Sequence, residues 1–255
     1  MLNIFKLDRR YAVFDEKTYS RLIKLLQTMT TYTMDAPEKS KIVDYYYDTS
    51  SGILEQNELL LRKRVTGRSA ELKIKRRYFS EEHMYSDSLR EHEREKEISP
   101  RDSLSKHYFF LNNALNSMFS NNLQFDPDKL FEQMRVIMVL DIKQESRKLY
   151  GYGGLKVEVR HEAIKIENRK TGRKNKTELI QFRLLSNEET LPIFDDFISR
   201  VEKHCKEIFY TKDSKFEIAY RMTKPLPSKE EQKKRNEELL KLKRQQEANE
   251  NVKTK

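Results

Sequence analysis

The segment from Leu59 to Lys75, LLLRKRVTGRSAELKIK, constrains the fold of this chain more than any other. It reads as two β-strands joined by a turn that carries Gly67. Along the first strand Leu59, Leu61 and Val65 share one face, and Arg62 and Arg64 share the other. On the second, Leu72 and Ile74 oppose Lys73 and Lys75. Alternation with period two is the mark of a strand with one apolar and one polar face. Here the polar face is cationic on both strands. Like charges on facing strands repel unless something anionic lies between them.

Composition agrees with that demand. The 255 residues are 36% hydrophobic and 36% charged with a net charge of +10, so much of the chain is solvated or lines a polar cavity. An anionic partner follows: phosphate chains, nucleotides or nucleic acid. The single cysteine, Cys205, excludes an intrachain disulfide framework and a CxxC zinc site. The start, MLNIFKLDRR, has too short an apolar run for a signal peptide, and the run near Val136–Leu140 is far too short to span a membrane. A cytoplasmic location is the resulting expectation.

Taken in order, residues 3–14 alternate as a strand on which Lys6, Asp8 and Arg10 share one side. Tyr19, Leu22, Ile23, Leu26 and Met29 recur at helical spacing over 16–30. A strand is expected at 42–49, then the two cationic strands, then a loop at 79–88. In 89–98, LREHEREKEI, the glutamates Glu91, Glu93, Glu95 and Glu97 share one parity, as either an acidic strand face or a solvated charge run. A helix is expected over 103–119, a loop at 120–128, a short helix or turn at 129–134 and a buried strand at 136–142. Further strands are expected at 155–166, where Lys156, Glu158 and Arg160 oppose Val157 and Val159, and at 178–185. A helix with proline in its first turn follows over 192–209. The segment 214–222, SKFEIAYRM, reads as the last strand. Residues 1–225 then form one domain, and 226–255 a charged tail, helical or disordered.

This is an α+β chain of about eight antiparallel strands with a few covering helices. An open sheet can turn its charged face to water. A closed barrel can turn it inward and pack helices outside. Periodicity alone leaves both open.

Four short motifs, in order and on expected strands, resemble the CYTH family of triphosphate tunnel metalloenzymes and the related polyphosphate polymerase domain. They are Tyr46-Tyr47-Asp48-Thr49, Leu61-Arg62-Lys63-Arg64, Leu72-Lys73-Ile74-Lys75 and Ser214-Lys215-Phe216. The resemblance runs over nearly all of residues 3–222. It implies an eight-stranded antiparallel β-barrel, a tunnel whose basic side chains bind a triphosphate or longer phosphate chain and whose acidic ones hold Mg²⁺ or Mn²⁺. On that basis Arg62, Arg64, Lys73, Lys75 and Lys215 line the tunnel, joined by Arg10, Arg147 and Lys156.

The acidic half of the pattern departs from the family. Where many members open with E-x-E-x-K, this chain has Lys6-Leu7-Asp8-Arg9-Arg10. On the penultimate strand Gln181 stands where a metal-ligating glutamate is usual, followed by Arg183, and Glu178 has the outward parity. The carboxylates left for a metal are Asp8, Glu93, Glu95 and Glu158, with Glu93 and Glu95 also the candidate catalytic groups.

The resemblance therefore implies a metal-dependent hydrolase of inorganic or nucleoside triphosphate. The alternative from a different class is a catalytically reduced tunnel that senses or sequesters triphosphate, polyphosphate or an RNA 5′ end. A polyphosphate polymerase, suggested by Lys6-x-Asp8-x-Arg10-Tyr11, and a class IV adenylate cyclase are further alternatives.

Overall fold

The computed structural model describes residues 7–15, 17–29, 32–76, 93–119 and 127–225. The expected loops at 79–88 and 120–126, Lys6, Glu91 and the tail from 226 lie outside the described residues. One compact unit runs to Thr223.

The strands are β1 (Asp8–Val13), β2 (Thr33–Met34), β3 (Glu38–Asp48), β4 (Leu59–Thr66), β5 (Ser69–Arg76), β6 (Glu93–Ile98), β7 (Arg135–Tyr150), β8 (Lys156–Asn168), β9 (Lys174–Leu184) and β10 (Ile208–Tyr210). They form one antiparallel sheet in the order β10-β1-β9-β8-β7-β3-β4-β5-β6, with β2 added beside β7. Among the described residues, eight of the ten have six residues or more. The charge run at 89–98 is a strand over its described part, Glu93–Ile98. The turn between β4 and β5 places Gly67 at φ +58°, a conformation that costs glycine little.

Among the described residues the sheet is not closed. β10 pairs with β1 through Tyr11↔Tyr210 and Val13↔Ile208, so the edge of β1 that closure onto β6 would need is already taken.

Helices cover the outer face in two groups. Tyr19, Leu22 and Leu26 of α1 (Thr18–Thr28) and Phe194, Phe197 and Val201 of α5 (Leu191–His204) pack on Tyr11, Val157, Val159, Ile180 and Phe182. Cys205 is buried in that core as a small filler. Further along, α2 (Ile53–Gln56), α3 (Tyr108–Phe119) and α4 (Pro127–Gln133) cover Leu59, Leu61, Leu72 and Ile74. Among the described residues no helix is long and apolar enough to cross a membrane.

The segment 214–222 corrects the sequence reading. It is a helix, α6 (Lys215–Thr223), and it lies on the inner face of the sheet. Phe216, Ile218 and Ala219 pack there on Ile42, Tyr46, Leu60, Leu140, Ile142, Ile164 and Leu179. Phe216, Ile218 and Tyr220 imitate strand alternation, but Phe216, Ala219, Tyr220 and Thr223 also fit the helical period. Local chemistry breaks the tie. Ser214 caps the helix: the Glu217 backbone N–H donates to Ser214 Oγ at 3.2 Å, and the Ser214 hydroxyl donates to the Glu217 carboxylate. At its far end α6 is tied to β8 by Asn168 Nδ2 donating to Thr223 Oγ1 at 3.0 Å.

Candidate functional site

Register decides which side chains share the inner face. One row across β1, β9, β8 and β7 is Asp8, Arg183, Glu158 and Lys148. The next is Arg10, Gln181, Arg160 and Ser146, and the one after includes Leu179, Glu162 and Gln144. On the other arm of the sheet, Asp44, Arg64, Glu71 and Glu97 form a row across β3 to β6. Beside it run Tyr46, Arg62, Lys73 and Glu95, and then Leu60, Lys75 and Glu93. The side chains of Arg62, Lys73, Glu93, Glu158, Arg160 and Arg183 are only 11–25% exposed. A flat, solvated sheet face would leave long charged side chains far more open. These groups therefore line a recess.

Of the expected basic set, Arg10, Arg62, Arg64, Lys73, Lys75 and Lys156 lie on this face, and α6 brings Lys215 to it. Lys156 stands at the margin, its Nζ 5.4 Å from the centre of the Tyr150 ring. Arg147 does not join them. It pairs with Val159 on the outer face, and its Nη2 donates to Glu145 at 3.1 Å, where Tyr19 Oη also donates. Glu178 is outward as expected, 2.9 Å from His161 Nε2. Two motif residues prove structural. Lys63 points outward and donates to the carbonyls of Pro100 and Asp102 at 2.8 and 2.7 Å. Asp48 accepts from the backbone N–H groups of Thr49, Leu54 and Glu55, which caps α2.

Asp44, Arg64, Glu162 and Lys215 make a buried four-charge cluster. Arg64 grips Asp44 through Nε and Nη2, both at 2.7 Å, and Lys215 Nζ donates to Glu162 at 2.5 Å. Burial pushes the Glu162 carboxyl up, but the Lys215 charge and hydrogen bond, with Arg64 and Arg10 beyond, outweigh it and hold the group below its ordinary range. Burial brings the Lys215 ammonium down to about 8; Glu162 opposes the shift and Arg64 adds to it. Elsewhere Arg62 holds Glu71 at 2.5 Å, and Lys73 sits between Glu93 at 3.0 Å and Glu95 at 2.7 Å. Burial alone would lower the Lys73 pKa; Glu93 and Glu95 reverse that and raise it. Arg160 and Asp44 share the parity of Glu158 and Tyr46, so both were readable as inward residues once their strands were recognised.

The recess is not saturated by its own ion pairs. Among the described residues, the buried Nε–H groups of Arg10, Arg62 and Arg160 have no hydrogen-bond acceptor, and Glu93 Oε2 has no donor. A buried donor without an acceptor costs about 1–3 kcal/mol. Three guanidinium donors in this condition on one face are matched by an anion with several acceptor oxygens.

The donor set does not fit a resident divalent cation. Such an ion takes about six or more oxygen ligands, with carboxylates supplying the charge. Here the Asp8 oxygens accept from Arg183 Nε at 2.8 Å and Nη2 at 3.3 Å, and Glu158 lies 2.6 Å from Arg160 Nη2. Glu93 and Glu95 share the Lys73 ammonium, and Gln181 brings no charge. Among the described residues no three His, Cys, Asp or Glu side chains come together in a way that could hold a metal ion.

No protein-family model matches the sequence, and no curated protein matches it. Solved structures do. The Hippeastrum protein HpAC1, assigned as an adenylyl cyclase and described as having a dominant triphosphatase activity, superposes with a TM-score of 0.51 at 15% identity, over 88% of this chain and 98% of that one. The PH1819 protein of Pyrococcus horikoshii follows at a TM-score of 0.45 and 12% identity, covering 85% and 99% of the two chains. The adenylate cyclase-like protein bh2851 of Bacillus halodurans reaches 0.44 at 12% identity, over 79% and 92%. At such identities the likeness is one of fold, and only the first is near enough to bear on it. It agrees with the α+β fold of a large antiparallel sheet and covering helices expected from the sequence.

Proposed function

We propose that this chain, whose open antiparallel sheet resembles the CYTH-type tunnel fold, binds a triphosphate, inorganic or carried by a nucleotide, on the inner face of that sheet. The reading rests on one observation above the rest. Arg10, Arg62 and Arg160 lie on the inner face, and their buried Nε–H donors have no acceptor among the described residues. A triphosphate offers a short row of anionic oxygens, and the arginine fork suits them better than a lysine point charge. A polyphosphate chain or an RNA 5′ end presents the same unit and falls under the same reading. Titration calorimetry with inorganic tripolyphosphate, ATP and orthophosphate tests it. Tripolyphosphate and ATP are expected to bind and orthophosphate to bind far more weakly; equal affinities for all three would reject it.

Hydrolysis of the bound triphosphate is a second reading, favoured by Glu93. Its Oε1 accepts from Lys73, which fixes the carboxylate, while its buried Oε2 has no donor among the described residues; a bound triphosphate that opened this position to a water would give it a base to orient that water. Mg²⁺ or Mn²⁺ enters this reading as a counter-ion carried by the triphosphate. Phosphate release measured with Mg²⁺, Mn²⁺ or EDTA, in the natural chain and in Glu93→Gln, decides it. Release that survives Glu93→Gln unchanged would remove Glu93 from the reaction, and no release under any condition would leave binding alone.

A further inference from the structure

We infer that the recess takes its triphosphate without a divalent ion, because Arg183 and Arg160 supply the positive charge beside Asp8 and Glu158. This rests on the triphosphate reading above and specifies how that site neutralises its ligand.

The basis is a pattern of rows. Asp8, Arg183 and Glu158 are direct cross-strand partners on β1, β9 and β8, and Arg10, Gln181 and Arg160 are partners one pair of residues along the same strands. Each carboxylate thus has a guanidinium beside it. Arg183 grips Asp8 through Nε and Nη2, and its Nη1 lies 4.0 Å from Glu158 Oε2, which Arg160 Nη2 approaches to 2.6 Å. A divalent ion drawn to Asp8 and Glu158 would have to displace a two-point guanidinium contact and then sit next to the displaced cation. Like charges that close in a recess of reduced dielectric oppose such binding strongly. The other arm of the sheet repeats the arrangement with Lys73 between Glu93 and Glu95.

Toward phosphate oxygens the guanidinium provides part of what a dication provides: positive charge and directed contacts. It cannot acidify a water or bridge oxygens by inner-sphere coordination. Arg183 remains about a quarter exposed at its side chain, and Asp8 fixes the plane of its guanidinium. Asp8 and Glu158 act here as positioning residues for the arginines.

Two measurements test this on the full chain. Tripolyphosphate is titrated calorimetrically in EDTA, in Mg²⁺ and in Mn²⁺. The dissociation constant in EDTA is expected within a few-fold of the others, whereas a loss of ten-fold or more in EDTA overturns the inference. Separately, Mn²⁺ alone is titrated and the free aqua ion followed by electron paramagnetic resonance. Binding no tighter than the millimolar range is expected, and micromolar binding to the natural chain overturns the inference whatever the phosphate result. Absence of tripolyphosphate binding in every buffer rejects the triphosphate reading instead, so the two failures are distinguishable. Arg183→Gln is expected to weaken tripolyphosphate binding in EDTA roughly ten- to hundred-fold, the loss of charge-assisted hydrogen bonds. Unchanged affinity there also overturns the inference. Arg183→Glu, which puts a third carboxylate beside Asp8 and Glu158, is expected to gain Mn²⁺ binding in the resonance measurement.

Discussion

Arg64 on β4 closes its guanidinium on Asp44 of β3 in direct register, with Nε on Oδ1 and Nη2 on Oδ2, each at 2.7 Å. Asp44 has no exposed surface. Its burial would push the carboxyl up, but the Arg64 hydrogen bonds and charge, aided by Arg62 and Lys215, hold it below the ordinary range. A buried charge that loses its partner costs about 3–5 kcal/mol. Arg64→Ala is therefore expected to lower the urea unfolding free energy by about that amount. Arg64→Met combined with Asp44→Leu should cost less than Arg64→Ala alone, because it removes both charges. Unfolding curves that rank the two variants the other way would show that the pair is not the source of the loss.

Lys215 gives a pH dependence with a definite sign. Its folded pKa, brought down to about 8, lies below the ordinary lysine value of 10.5. Between those values the unfolded chain binds the extra proton, so this group alone makes stability rise as pH rises through that window. Ligand binding runs the other way. An anion gains from the ammonium, so tripolyphosphate affinity is complete below about pH 8 and falls above it. Arginine stays charged throughout. Calorimetric titrations over the alkaline range should show the fall in the natural chain and its absence in Lys215→Arg. An identical fall in both would assign it to another group.

Arginine-to-lysine changes separate charge from geometry. Arg62→Lys and Arg160→Lys keep the charge but remove the buried Nε–H that has no acceptor among the described residues. Each is expected to weaken tripolyphosphate binding roughly ten-fold, near the low end for a hydrogen bond to a charged group. Arg147→Ala, on the outer face against Glu145, should leave the affinity unchanged. Equal losses for Arg147→Ala and Arg62→Lys would mean that net charge, rather than the recess, attracts the phosphate.

The cationic strands were legible because alternation was clean: Arg62 and Arg64 against Leu59 and Leu61, Lys73 and Lys75 against Leu72 and Ile74. Two features hid the rest. In β7 the apolar side changes along the strand. Leu140 and Ile142 face inward under α6, while Leu149 faces outward into the core of α1 and α5. The strand therefore continues well beyond its apolar run, and parity counted from that run does not reveal which way Arg147 points. Closure was hidden for a different reason. Whether β6 meets β1 depends on the competing partner β10, three residues long and too short to register as a periodic pattern. The acidic departures were visible as sequence, but their pairing needed the register: only the row Asp8, Arg183, Glu158 shows the guanidinium set between the carboxylates.

The helix α6 links stability to the site through neighbouring residues. Phe216 is buried against Tyr46, ring centres 4.9 Å apart, and against Tyr220 at 5.9 Å, while the adjacent Lys215 enters the charge cluster. Phe216→Ala removes a core aromatic and is expected to destabilise the fold by about 3–5 kcal/mol. It should also weaken tripolyphosphate binding, because α6 loses the contact that seats Lys215. Ser214→Ala removes only the hydroxyl cap, at a cost of about 1 kcal/mol, and leaves the aromatic contact in place. The two variants should therefore differ several-fold in destabilisation by urea titration. Were Ser214→Ala to have no effect on stability, the Ser214 hydroxyl would not be what holds the first turn of α6.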